Sequence, residues 1–198
     1  DVFSYELVKK GLQDTGSLSR PQLTVGETDD PLSYFDTGMV WSDGPSHKQV
    51  KGELFQYFSP RMLQGIEDSI VSITESQLDT TIADTGEVEL VEDFAVPVPL
   101  RVIMDFIGIP QDDHEQLLEW LETFRSVMTS EDSDNASIKG GHMAGAAEYF
   151  KNLVDERHTN PQNDLISQLS TETELTSEEI GSNCFDFALA GQGTMSEL

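Results

Sequence analysis

Basic residues are scarce in this chain of 198: 11 lysines and arginines stand against 37 aspartates and glutamates, a formal net charge of -26. Most of such a surface repels polyanions, so nucleic acid and anionic lipid are set aside as partners. The same excess of acid costs stability through self-repulsion. Concentrated salt relieves it, since the Debye length falls to roughly 3 Å near 1 M. A salt-loving host and an ordinary acidic cytosolic enzyme both fit. Cysteine is nearly absent: Cys184 stands alone, which excludes an intrachain disulfide framework and fits a reducing, cytoplasmic compartment. No apolar run approaches the roughly 20 residues that span a bilayer, and the chain starts at Asp1 with no basic-then-apolar leader, so a soluble protein is expected, and a leader lost ahead of Asp1 stays open. Tandem repeats and low-complexity tracts are missing too. What is present is a hydrophobic fraction of 37% spread along the whole length, which predicts a folded, mainly α-helical protein.

Ser4 reads as the N-cap of a short helix bearing Tyr5, Val8 and Leu12, with Gly16 as its stop. From about Arg20 to Pro45, Pro21, Gly26, Pro31, Gly38 and Gly44 predict a long loop. That loop keeps Leu32, Tyr34, Phe35, Met39, Val40 and Trp41, as loops that line a site or dock on a core do. A helix follows through Val50, Leu54 and Phe55 towards Phe58, and Ser59-Pro60 offers a new start. The next stripe, Leu63, Ile66, Ile70, Ile73, Leu78 and Ile82, runs to a stop at Gly86, after which Val88 and Leu90 suggest one short strand. FAVPVPLRVIMDFIG predicts a core helix that starts around Pro97 to Pro99 and ends at Gly108. Asp112 with Glu115, and Thr176 with Glu179, form two capping boxes. The first opens a helix through Leu117, Leu121, Phe124 and Met128. After the acidic loop TSEDSDNAS, another helix carries Ala147, Phe150, Leu153 and Val154 up to Asn160-Pro161. A short turn around Leu165, Ile166 and Leu169 precedes the second box, which opens a final apolar helix through Ile180, Cys184 and Phe187.

That final helix contains ALAGQGTM. Each internal glycine costs a helix roughly 1 kcal/mol relative to alanine. Gly191 and Gly193 therefore mark either a close helix-to-helix approach or a flat ligand lying against the backbone, and Thr194 offers a hydroxyl at the weakened place. Upstream, His47 and Lys51 lie one turn apart on a predicted helix. Each taken alone is an ordinary residue, His47 solvated in a helix's first turn and Lys51 a surface charge.

These strings resemble the N-terminal half of the cytochromes P450. Ala190, Gly191, Gln192, Gly193 and Thr194 fit the family's oxygen-binding helix, except that Gly193 stands where the family has an acid. DGPSHKQVKGELFQYFSPRM resembles the segment that holds the haem, and GEVELVEDFAVPVPLRVIMDFIGIPQDD the strand-and-helix block that follows it. NDLISQLS and TSEEIGSNCFDFALAG keep the family's order. The resemblance implies a partial P450 domain over residues 1–198, mainly α with minor β, covering the family's helices B to I. It implies haem b as cofactor in the full-length protein, with Ala190 and Gly191 against its face and His47 and Lys51 on its propionates. Lysine for the family's arginine loses the bidentate fork. Thr194 would assist proton delivery to dioxygen, with Gly191 and Gly193 as its neighbours in the catalytic stretch. Phe35, Met39, Phe124, Met128 and Phe187 would shape an apolar substrate pocket. The reaction implied is insertion of one oxygen atom into an apolar organic substrate, with electrons from a ferredoxin-like donor docking near Lys48, Lys51 and Arg61. The axial cysteine is expected beyond Leu198, so this stretch alone should not hold haem stably.

Two coincidences are set aside. Glu122 and Arg125 have the spacing of the family's glutamate-x-x-arginine motif but precede the oxygen-binding helix, so a surface pair is the better reading. Cys184 lacks the glycine-rich phenylalanine loop of the family's iron ligand and reads as a buried structural thiol. His114, His142 and His158 are too scattered for a non-haem metal site. Gly193 leaves open a relative that uses peroxide or rearranges its substrate. A haem-free helical binding module is the reading if Leu198 is the natural end.

Overall fold

The computed structural model describes residues 4–14, 31–60, 64–129 and 136–196, and the side chains of these except 64, 84, 85, 129, 136–139 and 192–196. Helix α1 is Tyr5–Gln13. The Leu7 amide donates to Ser4 Oγ at 3.3 Å, so the expected cap is present. The helix ends at Asp14, and Gly16 lies outside the described residues. The segment expected as a loop is only partly irregular. Pro31–Thr37 and Met39–Trp41 are 3-10 turns, and its part from 20 to 30 lies outside the described residues. Helix α2 is Gly44–Phe55, with Pro45 in its first turn. The helix start at Ser59-Pro60 runs into undescribed positions, among them Arg61 and Leu63.

Helix α3 is Glu67–Thr85, and Gly86 closes it in the left-handed region at φ 73°. The expected strand at Val88 and Leu90 is not there; among the described residues there is no strand. The Glu89 carboxylate instead accepts from the amides of Val91 and Glu92 at 3.0 and 2.7 Å, and Asp93 accepts from the Glu89 amide at 2.9 Å. These side chains satisfy locally the backbone groups that a strand would have to pair across a ladder. The chain then winds into a π-helical turn, Val91–Ala95.

Helix α4, Pro97–Ile107, buries Val98, Leu100, Met104 and Ile107 and stops at Gly108, φ 102°. The box expected between Asp112 and Glu115 is replaced by a 3-10 turn, Gln111–Asp113, without a side-chain cap. The Asp113 amide already donates to the Pro110 carbonyl at 2.9 Å, and the Asp113 carboxylate receives the Tyr149 hydroxyl at 2.8 Å. Helices α5, His114–Thr129, and α6, Ala136–Thr159, follow; the acidic loop between them lies outside the described residues. Helix α7 is Leu165–Glu172, and helix α8 is Ser177–Ser196. Its box forms as expected: the Thr176 amide donates to Glu179 Oε2 at 2.8 Å, and the Glu179 amide returns to Thr176 Oγ1 at 3.2 Å.

Helix α8 is central. It packs against α4, α6, α7 and the turn at 31–37, and Ile180, Cys184, Phe185 and Ala188 face that core. Phe35, Phe124, Phe150 and Phe185 fill it, Phe35 lying 4.5 Å from Phe185 and 5.6 Å from Phe124 between ring centroids. One buried ion pair ties the α6–α7 corner to the end of α4. Arg157 Nε meets Asp164 Oδ2 at 2.8 Å, and Arg157 Nη2 donates to the Gly108 carbonyl at 3.2 Å.

Candidate functional site

Three polar side chains on α8 interrupt its apolar face. Ser182, Asn183 and Asp186 are all buried, and their spacing brings them to one side of the helix. Ser182 Oγ donates to the Phe35 carbonyl at 3.0 Å, the Met39 amide donates to Asn183 Oδ1 at 2.8 Å, and Trp41 Nε1 donates to Asp186 Oδ1 at 3.3 Å. The 35–41 segment thereby lies directly on the helix. Gly38 makes this possible: a Cβ there would collide with Asp186 Oδ2 and crowd Ser182 Oγ. Sequence reasoning passed over these three residues. The available signal was polar residues at helical spacing inside SNCFDFALA, an otherwise apolar run.

The same segment reaches α2. His47 Nδ1 lies 3.0 Å from the Met39 carbonyl. A carbonyl oxygen can only accept, so Nδ1 carries the proton. Nε2 is the nitrogen that Met39 does not engage. Lys51 is exposed one turn on, its ammonium 4.9 Å from the Phe55 ring centroid.

Beyond Ala188 the character of α8 changes. Ala190 is exposed, while the Cβ direction of Gly191 points at Ile103 of α4, where an added methyl would stand 3.1 Å from Cγ2. A close helix approach therefore accounts for Gly191. The backbone of α8 continues through Gly193 and Thr194; the side chain of Thr194 lies outside the described residues. Gly191 also lines a cavity of about 720 Å³ with Phe58, Ile70, Phe94, Val98, Ile103 and Phe106. Among the described residues, Thr74 is the one polar side chain in that lining. His47 and Lys51 are not part of this wall.

The residues expected to meet substrate fall in four places. Phe35 and Phe124 are buried in the aromatic core. Met39 is half-buried beside Asn183, and Met128 is exposed on α5. Phe187 leans on Phe58 at 4.9 Å, and Phe58 on Phe106 at 5.6 Å, so Phe187 borders the cavity through Phe58. Cys184 is wholly buried, and burial holds its thiol far above the usual range, with the Asp164 and Asp186 carboxylates adding to the effect. It is a thiol and not a thiolate ligand. Glu122 and Arg125 are exposed on α5. Among the described residues, no three His, Cys, Asp or Glu side chains gather as a metal site.

A buried central helix thus emerges beside an apolar cavity in a wholly helical arrangement of the described residues. No protein-family model matches the chain. The biotin biosynthesis cytochrome P450 of Bacillus subtilis is 33% identical to it across 100% of this chain and 51% of its own length. The 6-deoxyerythronolide B hydroxylase of Saccharopolyspora erythraea is 28% identical across 96% of this chain and 50% of its own. Among solved structures, CYP109E1 of Bacillus megaterium superposes with a TM-score of 0.78 at 26% identity, covering 99% of this chain and 52% of that one. P450BioI, in complex with an acyl carrier protein that bears hexadec-9Z-enoic acid, gives 0.77 at 32% identity over 88% of this chain and 46% of that one. This chain belongs to the cytochrome P450 family, and it spans about half the length of the curated relatives it matches.

Proposed function

We propose that this chain forms the distal half of a haem-thiolate monooxygenase that inserts one oxygen atom into an apolar organic substrate. The observation that carries the reading is the exit of α8 from the core at Ala190 and Gly191, the stretch that resembles the family's oxygen-binding helix in all but the acid, where Gly193 stands. The donors fit the cofactor in kind. Ala190 offers a small exposed contact beside the helix backbone, and the His47 imidazole and Lys51 ammonium suit two propionates. When bound, haem supplies the redox-active iron that dioxygen chemistry needs. Thr194 holds or passes a proton at its hydroxyl, and Met39 and Phe187 exclude water from the substrate's side. Phe35 and Phe124, in the aromatic core, and Met128, exposed on α5, are proposed as substrate contacts on the family resemblance. The iron ligand is a cysteine from outside these 198 residues, since Cys184 is buried as a thiol.

The substrate class is supported by relatives whose names are those of a methyl-branched lipid omega-hydroxylase and a polyketide biosynthesis P450. Electrons come from a ferredoxin-like donor, and Lys48 is an exposed cation available to dock it, Lys51 being already assigned to a propionate. Among the described residues, no helix is long and apolar enough to cross a membrane. The acid excess supports a cytoplasm rich in salt.

The test is to read the coding sequence past Leu198 for a cysteine in a glycine-rich phenylalanine loop and to express that longer chain. It should show the ferrous–carbon monoxide band of a thiolate-bound haem. Thr194→Ala should then lower product formed per reductant consumed. Absence of the cysteine, or of the band, sinks the proposal. Gly193 supports a second reading, a relative driven by peroxide: turnover with peroxide that is indifferent to any reductase would select it.

A further inference from the structure

We infer that Asn183 positions the His47 imidazole through the backbone of a single residue, Met39, so that the central helix sets which ring nitrogen faces a ligand. Asn183 Oδ1 takes the Met39 amide at 2.8 Å, and the Met39 carbonyl takes His47 Nδ1 at 3.0 Å. The amide of Asn183 is itself oriented, because its Nδ2 donates to the Glu179 carbonyl at 2.7 Å. Nδ2 is the only end of that side chain that can donate to a carbonyl, so Oδ1 must be the end turned to Met39. Asn183 is 1% exposed and sits between Ser182 and Asp186, which fix the same segment at Phe35 and Trp41. The segment is thus held at three points by one rigid helix, and its middle anchor aims the carbonyl that His47 meets.

The consequence is chemical as well as steric. A proton fixed on Nδ1 selects the tautomer less populated in free histidine and turns Nε2 away from Met39. Other ring nitrogens show the contrast: His158 Nδ1 meets the Ser170 carbonyl at 2.8 Å, while His114 uses Nε2 on the Ile109 carbonyl at 3.1 Å. The choice at His47 therefore follows from where Met39 is held and not from a general habit of the chain. Through this link, a shift of α8 is felt at α2 without any direct contact between Asn183 and His47. What the coupling means for haem rests on His47 being a propionate contact; the coupling itself does not.

The experiment is nitrogen NMR of the histidine rings in the 198-residue chain, with His47 assigned by loss of its signals in His47→Gln. The expected result is a proton on Nδ1 of His47 and a Met39 amide that exchanges slowly with solvent. Asn183→Ala should lower the ratio of the Nδ1–H to the Nε2–H tautomer roughly fivefold, the equivalent of one neutral hydrogen bond. It should also speed Met39 amide exchange by roughly tenfold or more. If Asn183→Ala does not fold, Asn183→Gln, which displaces the acceptor by one methylene, takes its place with the same two readouts. A wild-type proton on Nε2 overturns the inference. So does an unchanged ratio and exchange rate in a variant whose circular dichroism matches the parent. Failure of the haem reading looks different: the longer chain then lacks its carbon monoxide band while the His47 tautomer stays as described.

Discussion

Replacing Arg157 by methionine removes a guanidinium that joins three parts of the fold. Arg157 is 4% exposed and Asp164 7% exposed, so the partner carboxylate is left inside the protein without a counter-charge. Removing one member of such a pair costs about 3–5 kcal/mol, because the remaining charge keeps its desolvation penalty. The loss of the bond to the Gly108 carbonyl falls within the same range. For a chain of this length about 1 kcal/mol moves the melting temperature by about 2–4 °C, so a fall of about 6–20 °C is expected. Asp164→Asn should cost less. Its Oδ1 can still accept from the Ser167 amide, now at 2.7 Å, and Glu156 remains 2.7 Å from Arg157 Nη1. Asp164→Ala loses the cap as well, worth about 1 kcal/mol. Urea unfolding at one fixed salt concentration orders the three variants. Arg157→Met within about 1 kcal/mol of the parent, or Asp164→Asn worse than Asp164→Ala, refutes the reasoning.

Four other outcomes are expected. Gly108→Ala should destabilise by more than about 2 kcal/mol in the same urea assay, because φ is 102° there and a Cβ would collide with the Asp164 carboxyl. Alkali should unfold the chain early: burial first, then the charge and hydrogen bond of Glu172, push Tyr57 up to about 12, and burial pushes Tyr34 and Tyr149 higher still. Stability from these phenols is complete below about pH 10, the ordinary tyrosine value, and drains away as pH climbs through the folded values; Tyr57→Phe should flatten the part between about 10 and 12. Unfolding midpoints should rise between about 0.1 M and 1 M potassium chloride as screening tightens around a net charge of -26, and equal midpoints would count against a salt-loving host. Gly191→Ala should lose stability that Ile103→Val restores in the double variant, as expected of residues that touch; a failure of rescue would move Gly191 from helix packing to ligand contact.

Helix positions were largely legible because their signals are local. Ser4, the Thr176–Glu179 box, and the glycines at 86 and 108 each act within one turn, and each does in the structure what its chemistry implies. The misread elements are those where two local solutions compete. Val88 and Leu90 alternate as a strand does, but Glu89 and Asp93 satisfy the nearby amides first. Asp112 and Glu115 have box spacing, yet the turn at Pro110 already supplies the bond that a cap would make. The aromatic segment at 31–41 announced that it docks, though not on what: Ser182, Asn183 and Asp186 are remote in sequence, and only the fold brings them to it.

The site divides along the same line. Ala190, Gly191 and His47 could be named from strings, because the family keeps them in recognisable neighbourhoods. What each does here depends on partners that no string contains. Gly191 is explained within the described residues by Ile103, and the orientation of His47 by Met39. A glycine that serves a helix crossing and also opens the backbone to a flat ligand needs only its two sides to be different, and α8 provides that. Its Gly191 side is taken by α4, while the adjacent Ala190 remains exposed. The packing role therefore does not compete with the cofactor contact proposed for Ala190. By fixing the helix against α4 it fixes the distance at which the exposed neighbour can meet a ligand, so a loss at Gly191 should register first as stability and only through that as binding.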